Sequence, residues 1–270
     1  MLKNKYLISL DLDGTLLTSD KEISEFTKNY LKDLANDGSI IVLNSGRPLR
    51  ALTPYSNLLG IDNLIICYNG QLIYDPKTKK NIFDKPFKKE DIKKILSKCD
   101  KDFIKCIMCE DDKNIYLSKP GYFDFLYHDY ENKMKFYTGK IEDLLKDDVY
   151  TCIFEFDEKP CESSIFFENL TNEFDDLGLR YWYSGRFCEI YHTDINKETA
   201  ISEIAKIYNI PKENIYAFGD ADNDLDIITK VENGVAMING SEEIKKVAKY
   251  ITEEDNDHDG IAKFLMDHLV

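Results

Sequence analysis

The stretch YLISLDLDGTLLTSD, Tyr6 to Asp20, runs from an apolar, strand-like segment straight into two carboxylates, Asp11 and Asp13, followed by Gly14 and Thr15. Residues two apart in extended chain project to the same side, so both carboxylates belong to one place at the strand's end. Two ionised carboxylates this close repel, and such a pair needs a cation or a shared proton. Gly14 permits a tight turn and a close approach to a ligand, while Thr15 adds a hydroxyl and a backbone N–H. The plainer alternative is a solvated strand end with a helix cap. What decides between them is whether distant parts of the chain supply matching features at matching places.

Working outward, Ser39–Asn44 and Asn63–Tyr68 are further near-continuous apolar runs, and the amphipathic stretch Ser24–Asn36, ended by Asp37-Gly38, separates the first two strands. Strands buried on both faces and alternating with helices predict a parallel sheet of βαβ units. The same pattern returns late in the chain. Helix Lys197–Tyr208 is followed by strand Ile215–Phe218, helix Asp224–Thr229, strand Val235–Met237, a short strand Lys249–Thr252 and a last helix from Gly260. The middle differs. A helix (Lys88–Cys99), strands Phe103–Glu110, Asn114–Ser118 and Val149–Phe156, a helix (Ser163–Leu177) and strands Leu179–Ser184 and Phe187–His192 are joined by tight turns that imply antiparallel neighbours. The expected fold is α/β, a Rossmann-like doubly wound parallel core of residues 1–84 and 190–270 with an α+β domain inserted at 85–189. The segments DPKTKK and HTDINK are the expected hinges.

In open parallel sheets ligands bind beyond the carboxyl ends of the strands. IYAFGDADNDLDII, Ile215 to Ile228, repeats the opening design: an apolar strand, Gly219, then Asp220, Asn223 and Asp224. Together the two loops form an oxygen-rich nest suited to Mg²⁺, a hard ion that prefers carboxylates, carbonyls and water. IIVLNSGRP ends its strand at Ser45-Gly46-Arg47, which brings a hydroxyl donor and backbone amides to the same sheet edge. Lys197 opens its helix where an ammonium can face an anion. A phosphoryl group in transfer requires a nucleophile, a metal, donors and a compensating cation at once.

In that order, DLDGT (Asp11–Thr15), NSGR (Asn44–Arg47), Lys197 and GDADND (Gly219–Asp224) resemble the motifs of the haloacid dehalogenase superfamily of phosphohydrolases. YNG (Tyr68–Gly70) and DGIAKFL (Asp259–Leu265) resemble its Cof-type branch, which carries a large cap domain between the second and third motifs. The resemblance implies that Asp11 is a nucleophile forming an aspartyl phosphate and that Asp13 protonates the leaving oxygen, then deprotonates the attacking water. It implies Mg²⁺ held by the Asp11 side chain, the Asp13 carbonyl and Asp220, with Asp224 counted in the same acidic set. Thr15, Ser45, Gly46, Arg47, Lys197 and Asn223 are the implied substrate contacts, Lys197 screening Asp11 from the anionic substrate. Residues 85–189 would be the cap that closes over the core cleft. Two departures stand out: Glu198 follows Lys197 where the family commonly has glycine, and Gln71 ends the NGQ segment (Asn69–Gln71) where a small residue is frequent.

Composition narrows the function. Thirty-five basic against fifty acidic residues leave a net charge of −15, which argues against nucleic acid and weakly against an anionic membrane surface. Seven cysteines and no apolar run near the roughly 20 residues that span a bilayer suit free thiols in a reducing cytoplasm. Cys106-x-x-Cys109 lies in a strand-like run with no second pair at zinc spacing and reads as buried thiols. Asp255, Asp257, Asp259 and Gly260 mimic the start of a calcium loop, but Met266 stands where its bidentate glutamate belongs. The lysines between Lys85 and Lys105 read as a solvated face, His128 and His192 as structural or surface residues, and Tyr122–Tyr130 as core of the inserted domain. The sequence thus implies a Mg²⁺-dependent phosphatase of a small phosphorylated metabolite, by family default a sugar phosphate. A sugar phosphomutase and a non-catalytic phosphate-binding regulator are the rival readings.

Overall fold

A computed structural model describes residues 5–99, 103–123, 134–157, 170 and 172–269. The chain divides into two compact units, one formed by Met1–Asp84 with Ile195–Val270 and the other by Lys85–Asp194.

In the first unit five parallel strands lie in the order Tyr250–Ile251, Asn233–Ala236, Ile215–Gly219, Leu7–Leu10, Ile40–Leu43. Leu7–Leu10 is therefore an interior strand, paired on both sides, and its register aligns Leu10 with both Phe218 and Leu43. Alternate side chains bury on opposite faces. Leu7, Val42, Ala217 and Ala236 pack with Ala200, Ile201, Ile204, Ile227, Ile228 and Ile244 from the helices Lys197–Tyr208, Leu225–Lys230 and Glu242–Val247. On the other face Phe218 meets Phe264 of the helix Gly260–His268, ring centroids 5.5 Å apart. Helices on both faces make the sheet doubly wound.

Capping explains two helix starts. Ser24 accepts a bond from the Thr27 N–H to open Glu25–Asn36, and Asn196 forms a reciprocal capping box with Thr199 to open Lys197–Tyr208. The helix Leu49–Leu59, closed by left-handed Gly60, was not foreseen from sequence because Pro54 lies inside it. The segment DPKTKK is not a linker: it turns a hairpin between strands Leu72–Asp75 and Lys80–Asp84, which extends Ile65–Cys67 into a three-stranded antiparallel sheet.

In the second unit six strands run in the order Leu177–Trp182, Phe187–His192, Thr151–Phe156, Ile104–Glu110, Asn114–Leu117, Lys135–Thr138. All neighbours are antiparallel except the last pair. The contact boundary falls at Asp194 rather than Glu189 because Phe187–His192 pairs on both sides within this sheet. Leu177, expected to end a helix, opens a strand; most of that helix, with Cys161, His128 and most of Tyr122–Tyr130, lies outside the described residues. Cys106 and Cys109 project to opposite faces into different apolar clusters, so they cannot share an ion. The six described cysteines are all buried and free. His192 is buried and stacks on Phe87 at 4.5 Å. Among the described residues no helix is long and apolar enough to cross a membrane.

Candidate active site

Three adjacent parallel strands end side by side, and each carboxyl end delivers one loop. Asp11 follows Leu10 and donates its N–H to the Phe218 carbonyl at 3.2 Å. The chain then winds into a single turn, with Leu16 N–H on the Asp11 carbonyl and Leu17 N–H on that of Leu12. Gly14 sits in that turn at φ +72°, a left-handed conformation natural to glycine. Thr15 Oγ1 donates to Asp220 Oδ1 at 2.9 Å, which ties the first loop to the loop after Gly219.

Lys197 joins the same place from the start of its helix. Its Nζ lies 2.5 Å from Asp11 Oδ1 and 2.6 Å from Asp224 Oδ1, and all three residues are buried. Asp224 Oδ2 accepts the N–H groups of Asp220 and Ala221, so that carboxylate is held at both oxygens. A side chain at Gly219 would collide with Asp224, its β-carbon 2.5 Å from the Asp224 Cβ and Cγ. Glycine there is required by packing rather than by backbone angle.

The charges perturb one another. Burial raises the Asp11 pKa, Lys197 opposes it and Asp224 reinforces it, with a net rise to about 7. Burial and Asp224 push Asp220 up to about 6. Burial alone would lower the Lys197 pKa, but Asp11 and Asp224 hold it above the ordinary lysine value. Asp13 behaves differently. Burial would raise its pKa, yet hydrogen bonds and charge from Arg47 and Lys21 outweigh this and hold it below the ordinary carboxylate value. Arg47 grips it as a fork, Nε to Oδ2 at 2.7 Å and Nη2 to Oδ1 at 2.6 Å, and Lys21 Nζ reaches Oδ1 at 2.7 Å.

Ligand atoms of Asp11, Asp220 and Asp224 lie within 4.8 Å of one another, the one such acidic group among the described residues. These are hard oxygen donors of the kind Mg²⁺ prefers. The missing β-carbon of Gly14, which would stand 2.4 Å from Asp220 Oδ2, is what lets that carboxylate close the cluster. The residues present fit the ion. The Asp13 side chain is not part of this cluster.

Of the residues singled out from sequence, Asp11, Thr15, Lys197, Asp220 and Asp224 thus form one connected set, while Asp13 and Arg47 form a second pair. Ser45 is buried, and its Oγ accepts the Arg47 N–H at 3.3 Å. Gly46 and Asn223 meet through Asn69: the Asn69 amide would stand 3.1 Å from a β-carbon on Gly46, and its Oδ1 accepts from Asn223 Nδ2 at 3.2 Å. Glu198 accepts from Ser202 Oγ one turn along its own helix. Gln71 is buried, its Nε2 donating to the Tyr68 carbonyl.

Several site contacts escaped the sequence reading. Asn44 donates to both Ser9 Oγ and the Lys197 carbonyl at 3.1 Å, and Asn239 Nδ2 holds the Gly14 carbonyl at 2.8 Å. Asn239-Gly240 closes the strand Asn233–Ala236, so one more strand end carrying an Asn-Gly pair was the available signal. Lys21 carried none, since a turn lysine is ordinary surface. The calcium-loop mimic is also explained. Asp257 accepts from the Ser19 N–H and Oγ, Asp259 from Ser24 and Thr27, and Asp255 caps the turn before it.

A family model described as haloacid dehalogenase-like hydrolase matches residues 8–265. The 5-amino-6-(5-phospho-D-ribitylamino)uracil phosphatase of Bacillus subtilis is 29% identical over 98% of this chain and 97% of its own. Among solved structures, a haloacid dehalogenase-like hydrolase from Bacteroides thetaiotaomicron superposes with a TM-score of 0.80 at 28% identity, covering 98% of this chain and 99% of that one. The protein TM0651 of Thermotoga maritima shares the fold at 24% identity and a TM-score of 0.78, over 97% of each chain. The chain belongs to the haloacid dehalogenase-like hydrolase family and is one of its phosphatases.

Proposed function

We propose that the protein is a Mg²⁺-dependent phosphomonoesterase of a small phosphorylated metabolite, working through an aspartyl phosphate on Asp11 in the cytoplasm. The observation that carries this is the buried Lys197 ammonium shared by Asp11 and Asp224, with Asp220 alongside. A buried carboxylate paired with a lysine and placed in reach of a metal-ligating set is more than a structural ion pair needs.

Asp11 attacks phosphorus through a carboxylate oxygen, the ester P–O bond breaks, and Asp13 gives its proton to the leaving oxygen. Water then attacks the same phosphorus, Asp13 takes its proton, and the bond between Asp11 and phosphorus breaks to release inorganic phosphate. At rest Arg47 and Lys21 keep Asp13 ionised, and the negative charge of a bound phosphoryl group restores its proton affinity. Ser45 and the amides around Gly46 donate to phosphoryl oxygens, while Thr15 gives its hydroxyl proton to Asp220 and holds that carboxylate in place. Lys197 offsets the charge of Asp11 toward an anionic substrate. Asp11, Asp220 and the Asp13 carbonyl would hold Mg²⁺, with Asp224 contributing charge behind them. When bound, the ion supplies Lewis-acid stabilisation of charge on the transferring group.

The Bacillus relative is named for a substrate that carries a phosphorylated ribityl chain, which supports a phosphorylated sugar or polyol as the substrate class. The test is turnover of 4-nitrophenyl phosphate with Mg²⁺ by the wild type and by Asp11→Asn. The wild type is expected to turn over and the variant to be inactive. An active variant would refute the nucleophile assignment. A screen of sugar phosphates, nucleotides and phosphorylated cofactors then defines the substrate.

A further inference from the structure

The short hairpin Thr18–Glu22 carries Lys21 at its tip. Thr18 N–H bonds the Glu22 carbonyl and Lys21 N–H bonds the Thr18 carbonyl, both at 2.9 Å. Lys21 itself sits at φ +62°, where glycine or asparagine would rest with less strain. The hairpin is tied down from three directions. Asp257 takes the Ser19 N–H and hydroxyl at 2.6 Å, Asn256 donates to the Leu17 carbonyl at 2.9 Å, and Tyr55 OH donates to the Lys21 carbonyl at 3.3 Å. Tyr55 also lies under the Arg47 guanidinium, 5.8 Å from its ring centre.

All of this holds one ammonium 2.7 Å from Asp13 Oδ1. As a stability device it makes little sense, because the Lys21 side chain is 57% exposed and exposed ion pairs contribute little. Its effect is geometric. The Arg47 fork defines the plane of the Asp13 carboxyl but lets carboxyl and guanidinium swing together. A second donor on Oδ1 from an independently anchored backbone removes that freedom.

We propose that Lys21 is a positioning residue for phosphoryl transfer, fixing from the anchored hairpin the direction in which Asp13 presents its carboxyl beside Asp11. The proposal rests on Asp13 being the proton donor to the leaving group. Lys21 touches no reacting atom; it acts through Asp13.

The test compares kcat/KM, with Mg²⁺ near neutral pH, for 4-nitrophenyl phosphate and phenyl phosphate. Nitrophenolate leaves without a proton, whereas phenol, with a pKa of about 10 like tyrosine, needs one. Lys21→Gly removes the ammonium while suiting the left-handed backbone, so it folds at least as well as the wild type. It is expected to lose on the order of tenfold on phenyl phosphate and little on the nitrophenyl ester, a fraction of what general acid catalysis supplies. Lys21→Arg restores most of that loss. Asp13→Asn serves as reference and shows the same selectivity, larger. If Asp13→Asn is selective and Lys21→Gly is unchanged, faster, or equally slowed on both esters, the role of Lys21 is overturned alone. If Asp13→Asn shows no selectivity, the assignment of Asp13 fails and takes this proposal with it.

Discussion

Asp220 Oδ2 lies 2.4 Å from the point where a β-carbon on Gly14 would stand. The carboxylate that completes the acidic cluster is in reach only because position 14 has no side chain. Gly14→Ala should therefore act twice. The left-handed backbone costs about 1–2 kcal/mol for an L-residue, read by urea unfolding. Displacement of Asp220 should cut turnover of 4-nitrophenyl phosphate by on the order of a hundredfold, the size expected when a site is misplaced by an ångström or so. A folded Gly14→Ala protein with normal turnover would show that Asp220 need not come so close.

Lys197→Met should be destabilising in a pH-dependent way. It strands two buried carboxylates, Asp11 and Asp224, without their shared cation. Breaking a buried pair from one side costs about 3–5 kcal/mol. In the variant Asp11, whose pKa burial already raises, loses the cation that opposed the rise, so its protonation relieves the penalty as pH falls. The loss should be largest near pH 8 and shrink as pH falls toward about 5. Urea midpoints at the two pH values measure it; a loss independent of pH would mean the lysine acts through packing alone.

Magnesium binding should release protons on the acid side. Asp11 titrates at about 7 and Asp220 at about 6 in the metal-free protein, burial being the first cause in each case. A ligating carboxylate must be ionised, so affinity falls as pH drops through this window. Calorimetry in two buffers of different ionisation enthalpy should detect proton release near pH 6 and almost none near pH 8.5. Equal release at both values would place the ion elsewhere.

The aspartates that imitate a calcium loop should prove structural. Asp259 accepts from Ser24 and Thr27 and Asp257 from Ser19, so these carboxylates fasten the early hairpin to the last helix. Asp259→Ala should cost about 1–2 kcal/mol through its lost hydrogen bonds. The response of thermal stability to added calcium should match that of the wild type, and a calcium effect lost in the variant would identify a true binding loop.

How much of this was legible beforehand depended on whether a residue's role was local. Asp11, Asp220 and Lys197 announce themselves because each stands where an apolar run stops or a capped helix begins, and parallel strands fix which ends meet. Ser45 and Arg47 follow for the same reason. Lys21, Asn239 and the role of Asn44 within its motif did not show, since each works through side-chain hydrogen bonds that no periodicity encodes. The strand Lys80–Asp84 was missed because all five residues are exposed, which leaves no alternation to read. The helix Leu49–Leu59 was hidden by Pro54.

The assignment of Asp11 as nucleophile is open to direct chemical trapping. Enzyme mixed with Mg²⁺ and excess 4-nitrophenyl phosphate would be quenched in acid within a turnover, reduced with borohydride and digested for mass spectrometry. An acyl phosphate on Asp11 should leave homoserine at position 11 and nowhere else, and no such product without substrate. Homoserine at another position, or none from a protein that is turning over, would contradict it.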